Sequence, residues 1–328
     1  MKHKTIPIFV PHMGCPNDCS FCNQRKITGT KNEITPDMAE RSIKEALITM
    51  PDDAKTIEIG FFGGSFTGID TGLQKEFLSI AKKYVDKGSV NAIRLSTRPD
   101  YIDEDILSML KGFGVTTIEL GAQSMDDGVL LKNRRGHTER DTVFASKLIK
   151  EYGMNLGLQM MTGLFGDTDK TCIESAEKII SLNPDCVRIY PTLVLSGTYL
   201  DELYKCGDYR PQELDEAVML CADLKERFDE KNIDVIRIGL MASDNINPDG
   251  DVVAGPYHPS MGELVLSEIY FRRIIKELNK DAVILVNKRD ISAFLGNKKS
   301  NIKRFLERGY SVTFKANSDI LPGQFKIL

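Results

Sequence analysis

GCPNDCSFCNQRKITG, residues 14–29, decides how the rest of the chain is read. Three of the seven cysteines, Cys15, Cys19 and Cys22, fall within it in the pattern C-x3-C-x2-C. The Gly, Pro, Asn and Asp around them mark a loop and not a helix face or a strand. A loop can wrap its thiolates around one centre, and soft sulfur ligands favour iron–sulfur or zinc. Structural zinc normally takes four protein ligands. His12, three residues before Cys15, would complete an HCCC zinc site, and that alternative stays open. A [4Fe–4S] cube held by three cysteines instead leaves one iron with an open position, where a ligand and chemistry can enter.

The 328 residues suffice for one large domain, or for one with a small appendage. Apolar residues make up 41% and charged ones 27%, an ordinary balance for a globular enzyme. A formal net charge of −4 shows no global basicity toward nucleic acid, while leaving room for a local patch. No run of eighteen apolar residues occurs, so no membrane span and no membrane partner are expected. The N-terminus, MKHKTIPIFVPHMGC, lacks the apolar core and cleavage site of a signal peptide, so the expected location is cytoplasmic. Cys172, Cys186, Cys206 and Cys221 are scattered without C-x2-C spacing. They read as buried small hydrophobes, with a second cluster built from all four as the alternative.

Residues 5–10 (TIPIFV) read as a first strand directly before the cysteine loop, and Pro7 suits it to a short or edge position. Thr35 is a candidate N-cap with Pro36 at the first helical position. Ala39, Ile43, Ala46, Leu47 and Met50 then line one helix face. Further strands are expected at 56–62, 91–96, 116–120, 155–161 and 186–191, with helices at 73–85, 102–110, 138–151 and 169–182. Every crossover has room for a helix, so the sheet should be parallel α/β. In such sheets sites are built at the C-terminal ends of strands, which is where the cysteine loop stands. The second strand runs into Gly63-Gly64-Ser65-Phe66. Its glycines either let backbone approach a ligand closely or simply make a tight turn.

C-x3-C-x2-C, with aromatic Phe21 before the last cysteine, resembles the radical S-adenosylmethionine (SAM) superfamily. TRPDY at 97–101, ELGAQS at 119–124 and RGHT at 135–138 are similar to one branch of it. That branch contains the catalytic subunit of Elongator and is related to oxygen-independent coproporphyrinogen oxidase. The resemblance implies a partial (β/α)6 TIM-like barrel over residues 1–205, with a C-terminal α/β accessory segment, 206–328, closing it. It implies a [4Fe–4S] cluster on Cys15, Cys19 and Cys22 whose open iron chelates SAM. SAM would be cleaved by one electron to methionine and a 5′-deoxyadenosyl radical, which abstracts hydrogen from a substrate. The protein's part in such chemistry is binding, orientation and shielding. An electron donor such as flavodoxin or ferredoxin is implied as a partner.

The same resemblance implies site residues. Gly63, Gly64 and Ser65 stand where the family's Gly-Gly-Glu-Pro backbone holds the amino group of SAM. Ser65 and Phe66 replace the usual third and fourth residues, a change that a backbone role survives. Gln123 and Arg135 would hold the methionine carboxylate, Arg135 with the fork that lysine cannot copy. Ser96 stands where the family often has glutamate, and Gln159 where the oxidase branch has aspartate, both near the ribose. Arg188 points to the same mouth, or else makes a rim salt bridge. His137 is read either as a site residue or as a structural one.

After residue 200 no acetyl-CoA-binding region is legible, so the acetyltransferase domain of Elongator's catalytic subunit is not expected. A helix at 211–231 and a strand at 234–238 lead to a long loop, 242–262, containing AGPYHPS. Loops of that length in compact enzymes are often functional. It reads as a lid bringing Tyr257 and His258 to the mouth as catalytic residues, or as a surface excursion. A helix at 263–278 and strands at 282–286 and 311–316 follow. Lys288, Arg289, Lys298, Lys299, Lys303 and Arg304 form a basic stretch that hints at a phosphate-bearing substrate or is a solvated face. With an acidic net charge, a small-molecule or protein substrate is expected ahead of tRNA.

Overall fold

The computed structural model describes residues 2–10, 19–22, 34–51, 53–241 and 246–328. β1 (Lys2–Val10) pairs in parallel with β2 (Ala54–Gly63), with Pro7 opposite Gly60. β1 is an edge strand of the main sheet, where the missing N–H of proline leaves no ladder bond unmade. Between the two strands, α1 (Pro36–Ile48) starts as expected: Thr35 accepts a hydrogen bond from the Met38 N–H, and Ala39 and Ile43 are buried.

The βα alternation continues through α2 (Thr71–Asp86), β3 (Ala92–Thr97), α3 (Glu104–Gly112) and β4 (Val115–Gln123). It then runs through α4 (Asp127–Lys132), α5 (Glu139–Glu151), β5 (Asn155–Thr162), α6 (Asp169–Ser181) and β6 (Cys186–Pro191). Asp70, Asp103, Asp126, Thr138 and Thr168 each accept the backbone N–H three residues on, which sets where these helices begin. Asp103 is why α3 starts two residues later than the sequence pattern suggests; Pro99–Tyr101 forms a separate turn before it.

Next come β7 (Val194–Leu195), α7 (Tyr199–Cys206), α8 (Leu214–Glu230) and β8 (Asp234–Ile238). The main sheet has the order β1-β2-β3-β4-β5-β6-β8, and all its pairs are parallel. It is an open, strongly curled half-barrel flanked by helices. The curl is deep enough that Arg188 on β6 stands 5.5 Å from the ring of Phe62 on β2. Six strands are expected from the sequence and seven are found. α8 is the crossover helix of one more βα unit, and β8 adds beside β6, so the sheet draws on both sides of residue 205. Outward-facing Ile59, Phe61, Ile93, Leu95, Ile118 and Val187 pack under the helices as the main core.

The chain closes with β9 (Val252–Ala254), α9 (Met261–Glu277), β10 (Ala282–Val286), α10 (Ile291–Leu295), α11 (Ser300–Glu307), β11 (Val312–Ala316) and β12 (Phe325–Ile327). β11, β10 and β12 form a small sheet over a second core that includes Phe271, Ile284, Phe294 and Phe305. α9 joins the two cores: Met261, Val265 and Ile269 pack into the first, Tyr270, Phe271 and Ile274 into the second. β9 pairs antiparallel with β7, which pins the long loop to the outlet of β6. Among the described residues, no helix is long and apolar enough to cross a membrane.

Candidate active site

Alternate residues of each strand face the inner wall of the half-barrel. Glu119 on β4 is buried there at 1% exposure and is the centre of a charged arc. Arg188 forks onto it, Nε to Oε2 at 2.5 Å and Nη2 to Oε1 at 2.9 Å. Arg94 on β3 donates to Glu119 Oε1 at 2.8 Å, and its Nε lies 2.7 Å from Glu58 Oε2 on β2. His3 Nε2 on β1 is 2.8 Å from the same Glu58 oxygen. Gln159 Nε2 donates to Glu119 Oε2 at 3.0 Å and to Ser96 Oγ at 3.1 Å. Burial opposes ionisation of Glu119, but the hydrogen bonds and charge of Arg188, then Arg94, hold its carboxyl below the ordinary value. Gly157 on β5 makes the room: a Cβ there would stand 2.7 Å from Glu119 Cγ.

Ser96, Gln159 and Arg188 are thus brought together as the sequence expects, and around a carboxylate that it does not single out. Glu58 and Arg94 belong to no motif, and Glu119 enters only as the first residue of ELGAQS without a role, because each is one polar residue inside a good strand. The available signal was their recurrence: TIEIG, AIRLS, TIELG and CVRIY each carry one charge amid apolar β-formers. A lone charge in four of the five strands β2 to β6, with Gln159 in the fifth, means a shared buried layer.

Cys19 and Cys22 stand at the C-terminal end of the same wall. Cys15 lies outside the described residues, as does His12. Cys19 is buried, and its Sγ accepts a hydrogen bond from Arg135 Nη1 at 3.2 Å. Arg135 Nη2 also donates to Gly121 O at 2.7 Å, which fixes the guanidinium over the end of β4. Fully buried Asn133 ties the cysteine segment down: its Oδ1 accepts from Ser20 Oγ at 2.6 Å, and its Nδ2 donates to Val129 O and Phe165 O. Leu200 N, in the first turn of α7, donates to Ser20 O at 2.7 Å. Phe21 packs with Leu164, Val194, Leu200 and Tyr209. Asn133 has no signature in the sequence, because its role comes from three segments meeting.

Gln123 ends β4 at φ 65°, and its buried Oε1 has no hydrogen-bond partner. Leaving such an acceptor unpaired costs about 1–3 kcal/mol, so a donor belongs there. Gly64 N donates to Val10 O at 3.2 Å, joining the outlets of β1 and β2. The Ser65 hydroxyl lies 2.8 Å from Thr97 Oγ1 and accepts from Arg98 N at 3.1 Å, which joins β2 to β3. The side chain of Ser65 is therefore used by the fold. His137 is buried, with Nε2 3.2 Å from Ala122 O. Burial first, then the charges of Arg135 and Arg98, push it down to about 4, so the imidazole is neutral near pH 7.

Cys172, Cys186 and Cys221 are buried and Cys206 is exposed. Burial pushes the Cys186 and Cys221 thiols up to about 12. Among the described residues, no three His, Cys, Asp or Glu side chains gather as a metal site, so the four scattered cysteines form no second cluster.

Tyr257 and His258 line a narrow cleft with Pro191, Leu193, Gly239 and Leu240, at the ends of β6 and β8. They therefore sit at the mouth end of the barrel. Gly255 takes φ +103° and comes so close to β6 that a Cβ would lie 2.9 Å from Thr192 O. His258 Nδ1 accepts from Ser260 N at 3.1 Å. Residues 242–245 of the loop lie outside the described residues. In the C-terminal segment, Arg304 is used structurally, bound to Glu268 and stacked 3.6 Å from the Phe271 ring centroid. Lys298, Lys299 and Lys303 are exposed and make no ion pair among the described residues.

Comparison with known proteins places this geometry. A Radical SAM superfamily model matches residues 9–179 and a Radical_SAM C-terminal domain model residues 184–270. The chain is 30% identical over 217 residues to a tRNA uridine(34) acetyltransferase of Methanocaldococcus jannaschii, covering 60% of this chain and 40% of that protein. It is 33% identical over 147 residues to Elongator complex protein 3 of Homo sapiens, covering 43% of this chain and 27% of that one. The archaeal Methanocaldococcus infernus Elp3 structure superposes with a TM-score of 0.63 at 23% identity, covering 84% of this chain and 63% of that chain, a likeness of fold. The chain spans 40%, 24% and 55% of the lengths of three tRNA uridine(34) acetyltransferases that it matches. Membership of the matched family implies SAM and [4Fe–4S] binding by homology. With more than half of its residues under one family model and the matching half-barrel, this chain belongs to the radical SAM superfamily and carries its catalytic domain.

Proposed function

We propose that this chain is a tRNA-modifying radical SAM enzyme of the Elongator-like group. The observation that carries the reading is the 30% identity over 217 residues to a tRNA uridine(34) acetyltransferase. The order of substrates expected from net charge, small molecule or protein before tRNA, is thereby reversed. The charge of −4 is unevenly spread: from residue 287 onward there are nine Lys and Arg against three Asp and Glu. A basic segment on an acidic chain suits a polyanion.

Cys15, Cys19 and Cys22 would hold the [4Fe–4S] cluster, and the donor chemistry fits, since Cys19 Sγ already has a guanidinium beside it. When bound, cluster and SAM supply a one-electron cleavage that yields a radical able to abstract hydrogen. The chain's residues do the rest. Arg135 steadies Cys19 and takes the carboxylate end of SAM. Gln123 offers an orphan acceptor, which suits an amino group or ribose hydroxyl better than the carboxylate expected from the sequence. The backbone of Gly63, Gly64 and Ser65 takes the amino group. Ser96, Gln159 and Arg188 form the wall at the ribose. Tyr257 and His258 exclude water at the mouth. With Nδ1 occupied by Ser260, His258 keeps Nε2 for substrate. A flavodoxin- or ferredoxin-type protein would deliver the electron.

The test is nucleoside profiling of tRNA from a strain lacking the gene, paired with anaerobic turnover of that tRNA by the reconstituted protein. One modified nucleoside should disappear in the strain and reappear in vitro. An unaltered nucleoside profile would overturn the tRNA reading.

A further inference from the structure

The inner wall carries one cation more than its carboxylates account for. Arg94 lies between Glu58 and Glu119, and Arg188 forks onto Glu119. Arg237, on the edge strand β8, is left over. It is in register with Arg188 on β6, so both side chains leave the same face of the sheet. Its Nε donates to Gly239 O at 3.0 Å. Among the described residues no carboxylate pairs with it, and its two terminal nitrogens have no partner. Like charges on neighbouring strands repel, and partial burial adds to the cost. The Arg237 guanidinium is accordingly held below the usual arginine value, by burial first, with Arg188 adding to it and Tyr190 opposing. Tyr190, two residues beyond Arg188, senses both arginines, yet burial keeps its phenol protonated and able to donate.

We propose that Arg237, with Tyr190 and the near edge of Arg188, forms an anion subsite of the substrate cavity that takes a phosphoryl group carried by the substrate. Two guanidiniums and a phenol drawn from two strands offer more than the two donors a planar carboxylate needs, which suits a tetrahedral oxyanion. The subsite is separate from the place for the SAM carboxylate. Arg135 stands at the end of β4, and Arg237 is three strand spacings away, about 14 Å along the sheet. It opens on the substrate side: Gly239, whose carbonyl holds Arg237, also lines the cleft of Tyr257 and His258. The inference rests on the tRNA reading for its source of phosphoryl, a nucleotide of the RNA chain; a free mononucleotide offers the same chemistry.

The experiment uses the full chain with its cluster reconstituted, and four probes: inorganic phosphate, uridine, uridine 5′-monophosphate and a tRNA anticodon stem-loop. Binding is followed by calorimetry and by the ligand-induced shift in Tm. The monophosphate should bind about tenfold tighter than uridine, the gain expected of one or two charge-assisted hydrogen bonds. Arg237→Gln should erase that difference and weaken the stem-loop about as much, while Arg237→Lys keeps part of it. Cluster absorbance and circular dichroism check that each variant folds. If the monophosphate responds to Arg237→Gln and the stem-loop does not bind at all, the subsite stands and the tRNA reading falls. If the stem-loop is bound and modified equally well by Arg237→Gln, the tRNA reading stands and the subsite falls. Should Arg237→Gln fail to fold, equal wild-type affinity for uridine and its monophosphate overturns the subsite by itself.

Discussion

Glu119 holds the inner wall together, because four side chains from three neighbouring strands depend on it directly or through Gln159. Removing one partner of a buried, paired charge costs about 3–5 kcal/mol, since the remaining charges are stranded. Glu119→Gln should lose that much stability in urea titrations; a loss under about 1 kcal/mol would mean that the wall repairs itself with water. Asn133→Ala makes a second test at this scale. It strands the backbone groups of Phe165 and the Ser20 hydroxyl, worth about 1–3 kcal/mol each if they stay buried. Iron retained after anaerobic reconstitution should fall in this variant while the far-ultraviolet spectrum does not change. Full iron loading would show that the cysteine segment needs no such anchor. A pH test belongs here as well. His137 is held at about 4 in the fold against an ordinary 6.5, so folding favours its neutral form. That stability is complete above pH 6.5 and is lost as pH falls toward 4, about 3 kcal/mol over the interval. Glu119, also depressed, adds a loss that begins only below its ordinary 4.5. His137→Gln should flatten the stability curve between pH 6.5 and 4 and leave the steeper loss below it.

Among the elements, the β7–β9 pair bears on the proposed closing role of the long loop. Two ladder pairs, Val194 with Ala254 and Leu195 with Val252, hold the segment to the outlet of β6, and Ser196 adds two bonds, its N donating to Asp251 O at 2.9 Å and its Oγ to Asp251 Oδ1 at 2.7 Å. A pairing this short is marginal alone, as the proposed closing role requires. Gly255→Val should break it, because φ +103° and the nearby Thr192 carbonyl leave no space for a side chain. Amide exchange at Val194 and Ala254 should then quicken; unchanged protection would show that the clip is held from elsewhere. A loop shortened by deletion of 244–251, and separately His258→Ala, should keep cluster and SAM binding. Both should release more 5′-deoxyadenosine per product formed, because the mouth no longer excludes solvent before cleavage. Wild-type coupling in both would return the loop to surface decoration.

At the scale of the whole molecule, charge is sorted by region. Residues 1–286 carry 34 Lys and Arg against 44 Asp and Glu, whereas the C-terminal segment from residue 287 carries the basic excess, nine against three. If tRNA lies across that sheet, affinity should fall steeply with salt, each neutralised phosphate contributing a slope of roughly 0.7–0.9 in log–log form. Replacing Lys298, Lys299 and Lys303 together with Glu should reduce the slope by about 2, given three exposed cations with no ion pair. An equal slope in the variant would place the RNA elsewhere.

How far the sequence alone reached depends on the range of the forces involved. Thr35–Pro36 starting α1, the presence of helices in most crossovers and the edge position of Pro7 are local matters of dihedral angle and nearby hydrogen bonds, and were legible, although the caps that set the other helix starts, Asp103 among them, were not read. The parallel half-barrel follows from alternating strand and helix periods, and the three-cysteine loop from its spacing. What escaped had partners distant in sequence. β8 has the same local pattern as an accessory strand; only the free edge of β6 made it the seventh of the sheet. Glu119 meets Arg188 across 69 residues and Arg135 meets Cys19 across 116, and no local propensity encodes either pair. The orphan acceptor of Gln123 and the unmatched charge of Arg237 are absences, defined by everything packed around them. Residue types and spacing thus determined the class of chemistry at the mouth. Which charges stand paired, and which stand open to a ligand, was decided by tertiary structure, because curling the sheet sets side chains of distant strands within hydrogen-bonding reach while water is shut out.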